Sequence, residues 1–144
     1  MVKASSWGYN LCMDAYLTVE ARRSLEALAL LGGARGYLVG HRRGPRFVVE
    51  TLVPAAGGRP FSGADLRALD RIFGGTAIGF FAAGPGRSAA KKEALRPFGC
   101  GKLFLEARLD ARKDLILKAF SVEFDGEFAL SPIPVASPGG RRGR

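Results

Sequence analysis

Hydrophobic and polar positions along the chain fall into runs of two periods, and each run predicts an element. Thr76-Ala77-Ile78-Gly79-Phe80-Phe81-Ala82-Ala83-Gly84-Pro85 is apolar without alternation. A run of this length, with β-branched and aromatic residues and Gly/Pro at its far end, predicts a central strand covered on both faces. Gly84-Pro85-Gly86 forces a sharp exit, and Ser88 to Leu95 predicts a helix behind it. Before this centre, Trp7 to Tyr16 carries Trp7, Tyr9, Leu11, Met13 and Ala15 on one parity, the period-two pattern of a first strand. Thr18 then suits an N-cap, because its hydroxyl accepts from amides of the first helical turn. The helix runs to about Leu31, with Val19, Leu25, Leu28 and Leu31 as its apolar stripe and Glu20, Arg22, Arg23 and Glu26 on the wetter side. Gly32-Gly33 ends it.

Gly33-Ala34-Arg35-Gly36-Tyr37-Leu38-Val39-Gly40 predicts a strand, Gly40 to Pro45 a polar turn, and Arg46 to Pro54 the return strand of a hairpin with a loop of about four or five residues. Ser62 or Asp65 caps a short helix whose face is Leu66, Leu69, Ile72 and Phe73. Phe98 to Gly101 reads as a turn. Lys102 to Leu109 alternates Leu103, Leu105, Ala107 and Leu109 with Lys102, Phe104, Glu106 and Arg108, which predicts a strand. Leu115 to Phe124 is a further strand, followed by a tight Asp125-Gly126 turn. Glu127 to Val135 is extended, and Pro132 and Pro134 confine it to a sheet edge or a strap.

Two glycine frames resemble the MPN/JAMM family. Gly79-Phe80-Phe81 followed at Pro85 by proline is similar to the family's Gly-aromatic-aromatic-x-x-x-Pro, which in zinc-dependent members reads Gly-Trp-Tyr-His-Ser-His-Pro. Gly36, Leu38 and Gly40 match three fixed positions of a second frame, Glu-x-x-Gly-x-Leu-x-Gly. The resemblance spans about residues 7 to 135 and implies an α/β (α+β) fold, a mixed central β-sheet flanked by helices with cytidine-deaminase-like layering. It places the two zinc-binding histidines at Ala82 and Gly84, the serine between them at Ala83, and the general-base glutamate at Gly33. None of these can ligate a metal or move a proton. The third zinc ligand falls at Leu95, with the preceding serine at Lys92, or at Glu93 if two residues are gapped. One carboxylate does not make a catalytic zinc site, which takes three protein ligands and an open position. Ser88, Lys91, Lys92 and Glu93 read as a solvated helix face. The implied protein is a metal-free, cofactor-free, non-catalytic interaction or scaffold module. Its implied partners are another MPN domain, a second copy of itself, or a ubiquitin-like protein.

Composition changes this picture in one respect. The 144 residues fit one domain over 1–136, with 137–144 a basic Gly/Arg tail expected to be disordered. A hydrophobic fraction of 47% with 24% charged residues is that of a globular protein. The absence of a membrane-length apolar run and of a leader-like segment gives the expectation of a cytoplasmic chain without a membrane partner. The formal charge is +9. That charge supports a second reading, nucleic-acid binding through Arg35, Arg42, Arg43, Arg46 and Arg87 converging from neighbouring loops, with Arg141, Arg142 and Arg144 in the tail. The glycines leading into the helix after Pro85 would offer amides to an anion. The single His41 reads as a strand-end histidine. Cys12 and Cys100 are too few and too far apart in sequence for a zinc frame. Ser88 lacks the frame of a nucleophile elbow.

Overall fold

The computed structural model describes residues 13–136 apart from Gly75. Strand β1 (Asp14–Leu17) leads into helix α1 (Val19–Leu30), and strands β2 (Ala34–Arg43) and β3 (Arg46–Pro54) form a hairpin. Helix α2 (Gly63–Phe73), strand β4 (Ala77–Ala83) and helix α3 (Arg87–Ala94) follow. Strands β5 (Leu103–Leu109), β6 (Leu115–Phe124), β7 (Phe128–Ile133) and β8 (Val135–Ala136) complete the order. Short 3₁₀ turns sit at Ala56–Gly58 and Pro97–Gly99. The fold is α+β, built on one mixed sheet of eight strands in the order β7-β6-β5-β4-β2-β3-β1-β8.

The apolar run beginning at Thr76 is the sheet's centre. β4 runs antiparallel to β2 and parallel to β5, and all seven of its residues are buried. Its side chains divide between two cores, alternating from Phe80 to Ala83 beyond an irregularity at Ile78. Ile78, Phe81 and Ala83 join Leu38, Phe47, Val49, Leu103 and Leu105 on the face covered by Ala21 and Leu25 of α1. Phe80 and Ala82 join Tyr37, Phe104 and Val122 on the opposite face, under Leu66 and Leu69 of α2 and Ala90 and Ala94 of α3. Both faces of β4 exclude water, which is why its pattern does not alternate.

β7 and β8 are one extended stretch interrupted at Pro134. β7 pairs with β6 at one edge of the sheet, and β8 pairs with β1 at the other. The Ala15 amide donates to the Pro134 carbonyl at 3.0 Å. The stretch therefore straps the two edges together and nearly closes the sheet on itself. Proline at this place is tolerated because the chain changes partners there and no ladder needs its amide.

Local rules account for most element ends. The Thr18 hydroxyl accepts from the Ala21 amide at 3.1 Å, and the Ser62 hydroxyl from the Asp65 amide at 3.1 Å. The first run is strand at Asp14–Leu17, and its residues 7–12 lie outside the described ones. Three expectations need correction. The β2–β3 loop is two residues, because β2 continues through His41 and Arg42 to pair Arg43 with Arg46. Gly44 takes φ +59° and Pro45 keeps φ negative, so the pair turns without a longer loop. The stripe of α1 is Ala21, Leu25, Leu28 and Ala29, while Val19 and Leu31 are exposed, Leu31 at 82%. Ile72 and Phe73, at 72% and 42% exposure, also leave the expected face of α2. Residues 137–144, the expected tail, lie outside the described residues.

Candidate functional site

The end of β4, where the two glycine frames point, is built from backbone. α1 ends in paired hydrogen bonds, from the Gly32 amide to the Ala29 carbonyl (3.3 Å) and from the Gly33 amide to the Leu28 carbonyl (2.9 Å). This six-to-one closure needs a left-handed residue, and Gly32 and Gly33 have φ of +105° and +106°. The chain then enters β2, where Ala34 pairs with Ala83 and Arg35 with Ala82. Gly33 thereby lies against Ala83 and Gly84. A side chain at Gly33 would collide with the Ala83 carbonyl oxygen and come to 3.1 Å from the Gly84 Cα. A Cβ at Gly84 would stand 2.9 Å from the Gly33 Cα. Positions about fifty residues apart in sequence thus meet with no side chain between them.

Beside them is a cleft of about 190 Å³ lined by Gly32, Gly33, Ala34, Arg35, Ala82 and Pro85, among others. Arg35 is the only charged side chain in its lining, and no carboxylate, imidazole or thiol faces it. Among the described residues no group of three His, Cys, Asp or Glu side chains is placed to hold a metal ion.

The residues expected to form a solvated face of α3 are partly otherwise engaged. Ser88 and Lys92 are exposed. Glu93 instead pairs with Arg35 and accepts the Phe61 amide at 3.1 Å. The Arg35 guanidinium also lies 4.6 Å from the centre of the Phe61 ring. Glu106 on β5 takes Arg87 Nε at 3.0 Å and Lys91 Nζ at 2.9 Å, and Arg87 Nη1 donates to the Gly84 carbonyl at 2.7 Å. Burial pushes the Glu106 carboxyl up, but Lys91 and Arg87 outweigh it and hold the group below the usual carboxylate range. This network is absent from the sequence reading. Its one signal is Glu106 in a strand whose neighbours Phe104 and Leu105 are apolar on both parities. Across the same sheet face, burial lifts the Tyr37 hydroxyl above its ordinary pKa; that group donates to Asp65 and accepts the Ser62 amide.

The five expected arginines do not converge. Arg35 and Arg87 stand at the end where β2 begins, and Arg42, Arg43 and Arg46 at the end where it stops. Arg43 is eight steps of strand from Arg35, about 26 Å at the usual rise of ~3.3 Å per residue. Three of the five are neutralised by carboxylates. Arg46 holds Asp14 through two hydrogen bonds of 2.8 and 2.7 Å, which raise the guanidinium pKa. Arg42 and Arg43 are exposed, with Arg42 4.3 Å above the Phe47 ring. His41 is 3.6 Å from Glu50 in the strand, and Cys100 is exposed. Arg141, Arg142, Arg144 and Cys12 lie outside the described residues.

No protein-family model matches the chain, and no curated protein matches it. Among solved structures it is similar to the solution structure of protein DSY2949 from Desulfitobacterium hafniense, a structural-genomics target. The TM-score is 0.59 at 20% identity, over 90% of this chain and 98% of that one. The likeness is one of fold. No described helix is long and apolar enough to cross a membrane.

Proposed function

We propose that this chain is a metal-free MPN/JAMM-like domain, with the layering of that family, that works as a protein-interaction or scaffold module. The observation that supports the reading is the contact of Gly33 with Ala83 and Gly84. The resemblance assigns a general base to Gly33 and zinc ligands to Ala82 and Gly84, so it requires that two distant stretches of sequence meet, and they do. Hydrolysis through zinc needs deprotonated ligands and a base beside the bound water. Gly and Ala offer neither, and the backbone contact occupies the space where a base would stand. What remains is an ordered surface on a rigid sheet. The partner classes are those the resemblance brings: another MPN domain, a second copy of this chain, or a ubiquitin-like protein.

The test is zinc per chain. The protein is expressed in zinc-supplemented medium, purified without chelator, and assayed by elemental analysis, with a titration of the metal-free protein alongside. The expected result is no stoichiometric zinc. One tightly bound zinc per chain would overturn the reading. Molar mass by light scattering over a range of concentrations, alone and with a ubiquitin-like protein, then separates the partner classes.

A further inference from the structure

The strap that closes the sheet leaves part of one strand open. β7 covers β6 only from Phe124 back to Ala119, which pairs with Ile133. Beyond Pro134 the chain departs to pair with β1. Residues Leu115 to Lys118 of β6 keep β5 on one side and have no strand on the other among the described residues. In an antiparallel strand, alternate residues turn both backbone groups to the same neighbour. Two of these four residues therefore aim an N–H and a C=O at the open side. Between this edge and β8 lies a cleft of about 560 Å³, lined by Leu117, Ala119, Phe120, Ile133 and Val135 with Lys118 and Pro132 at its rim. Leu115, Leu117 and Val135 pack on the inner core yet are only partly buried. Among the described residues no strand lies over these side chains on that side.

The other side of the edge is positively charged. Lys118 and Arg108 are exposed on adjacent strands, and neither belongs to an ion pair of the described residues. The carboxylate opposite Lys118 is Glu106, which Arg87 and Lys91 already hold. We propose that this edge takes an extended strand from another protein, whose apolar residues alternate with acidic ones. Backbone hydrogen bonds to β6 supply a ladder, as in other edge-strand recognition. Apolar side chains of one parity fill the cleft, and acidic side chains of the other meet Lys118 and Arg108. The chain's own ends fit less well. Residues 137–144, Ser-Pro-Gly-Gly-Arg-Arg-Gly-Arg, hold no aliphatic side chain and repeat the charge of the rim. β1 has β8 between it and this edge. The edge lies two strands from the end of β4, across Ala107, and the proposal uses none of the residues of the Gly33 contact, so its failure leaves the metal-free reading intact.

The probe is a capped synthetic peptide alternating valine and glutamate, with lysine replacing glutamate in a comparison peptide. Amide exchange and chemical shifts are followed by NMR on the full chain. In the free protein the two amides of 115–118 that face away from β5 exchange fast. The glutamate peptide saturates, slows those amides and no others, and binds better than the lysine peptide. The double variant Arg108→Glu/Lys118→Glu, with both changes on exposed side chains, weakens binding by about tenfold. Four results would overturn the proposal. The outward amides are already protected in the free chain, so that its own segment fills the edge. Alternatively, the shifts fall elsewhere, the lysine peptide or the double variant binds equally well, or single-stranded DNA perturbs the same amides in place of the peptide.

Discussion

Gly32 and Gly33 allow the backbone contact at the end of β4 to be measured, because they share a positive φ and differ in surroundings. Their φ values are +105° and +106°. Nothing lies within 4 Å of a Cβ at Gly32, whereas a Cβ at Gly33 collides with the Ala83 carbonyl. Gly32→Ala therefore carries only the conformational strain of an L-residue at positive φ, about 1–2 kcal/mol. Gly33→Ala carries the same strain and an overpacking term of about 1–3 kcal/mol, since the obstacle is β4 backbone that the sheet holds in place. The expected losses are about 2 and about 4 kcal/mol. Both are smaller than the ~5–15 kcal/mol stability of an ordinary domain, so both variants fold. Urea unfolding followed by circular dichroism reads the difference. With a slope of about 2 kcal/mol/M, the midpoints fall by about 1 M and about 2 M. Gly84→Ala probes the same contact from the other side, and its combination with Gly33→Ala falls short of additivity because one displacement of β4 relieves both. Losses for Gly32→Ala and Gly33→Ala within about 0.5 kcal/mol of each other would refute the close approach, and with it the support it lends to the proposed function.

Other expectations follow from single features. Glu106 has a depressed pKa when folded, so its contribution is fully present above the unfolded value of about 4.3 and is lost as pH falls through the folded one. Glu106→Gln then lowers stability near neutrality by about 1 kcal/mol, a figure kept small because Arg87 and Lys91 are about a third exposed. Its urea midpoint falls less between pH 5 and 3 than that of the parent, and parallel profiles would sink the assignment. Thr18→Ala removes the side-chain acceptor of the Ala21 amide and lowers stability by about 1 kcal/mol, whereas Thr18→Ser restores most of it in the same unfolding assay. Leu25→Ala, at a fully buried site under the sheet, costs about 2–5 kcal/mol, against less than about 0.5 kcal/mol for Leu31→Gln at the exposed helix end. A larger loss at Leu31 would mean that this residue is covered in solution.

The hydrophobic pattern shows an element's type more readily than the extent of the surface it packs on. The β4 run is legible because burial on both faces removes alternation, and its sequence has none. The spacing of Leu66, Leu69, Ile72 and Phe73 correctly marks one side of a helix. It carries no information on how far the covering of that side extends, and only Leu66 and Leu69 are buried, while Ile72 and Phe73 in the last turn are in solvent. Val19 and Leu31 fail at the two ends of α1 for the same reason. The arginines fail differently. Loops after neighbouring strands converge only when they leave the sheet at the same end, and Arg35 opens β2 while Arg42 and Arg43 close it. Charge counting also misses neutralisation in place, because Asp14, Glu93 and Glu106 reach their arginines from other elements.

Closure of the sheet is the least legible feature, and the open edge of β6 depends on it. Pro132 and Pro134 announce an edge or a strap, and the structure has both, in β7 and β8. The two prolines cannot reveal that one stretch serves two edges, because that is decided by pairing across most of the chain. Ala15 meets Val135, and Tyr16 meets Ala136. The exchange occurs at Pro134, which follows the Ala119–Ile133 pair and turns its backbone away from β6, so its missing amide costs that ladder nothing. Its carbonyl remains available and takes the Ala15 amide. The departure from β6 that completes the sheet on one side therefore uncovers Leu115 to Lys118 on the other. Near-closure of the sheet and the uncovering of Leu115 to Lys118 are two sides of the same change of partner after Ile133.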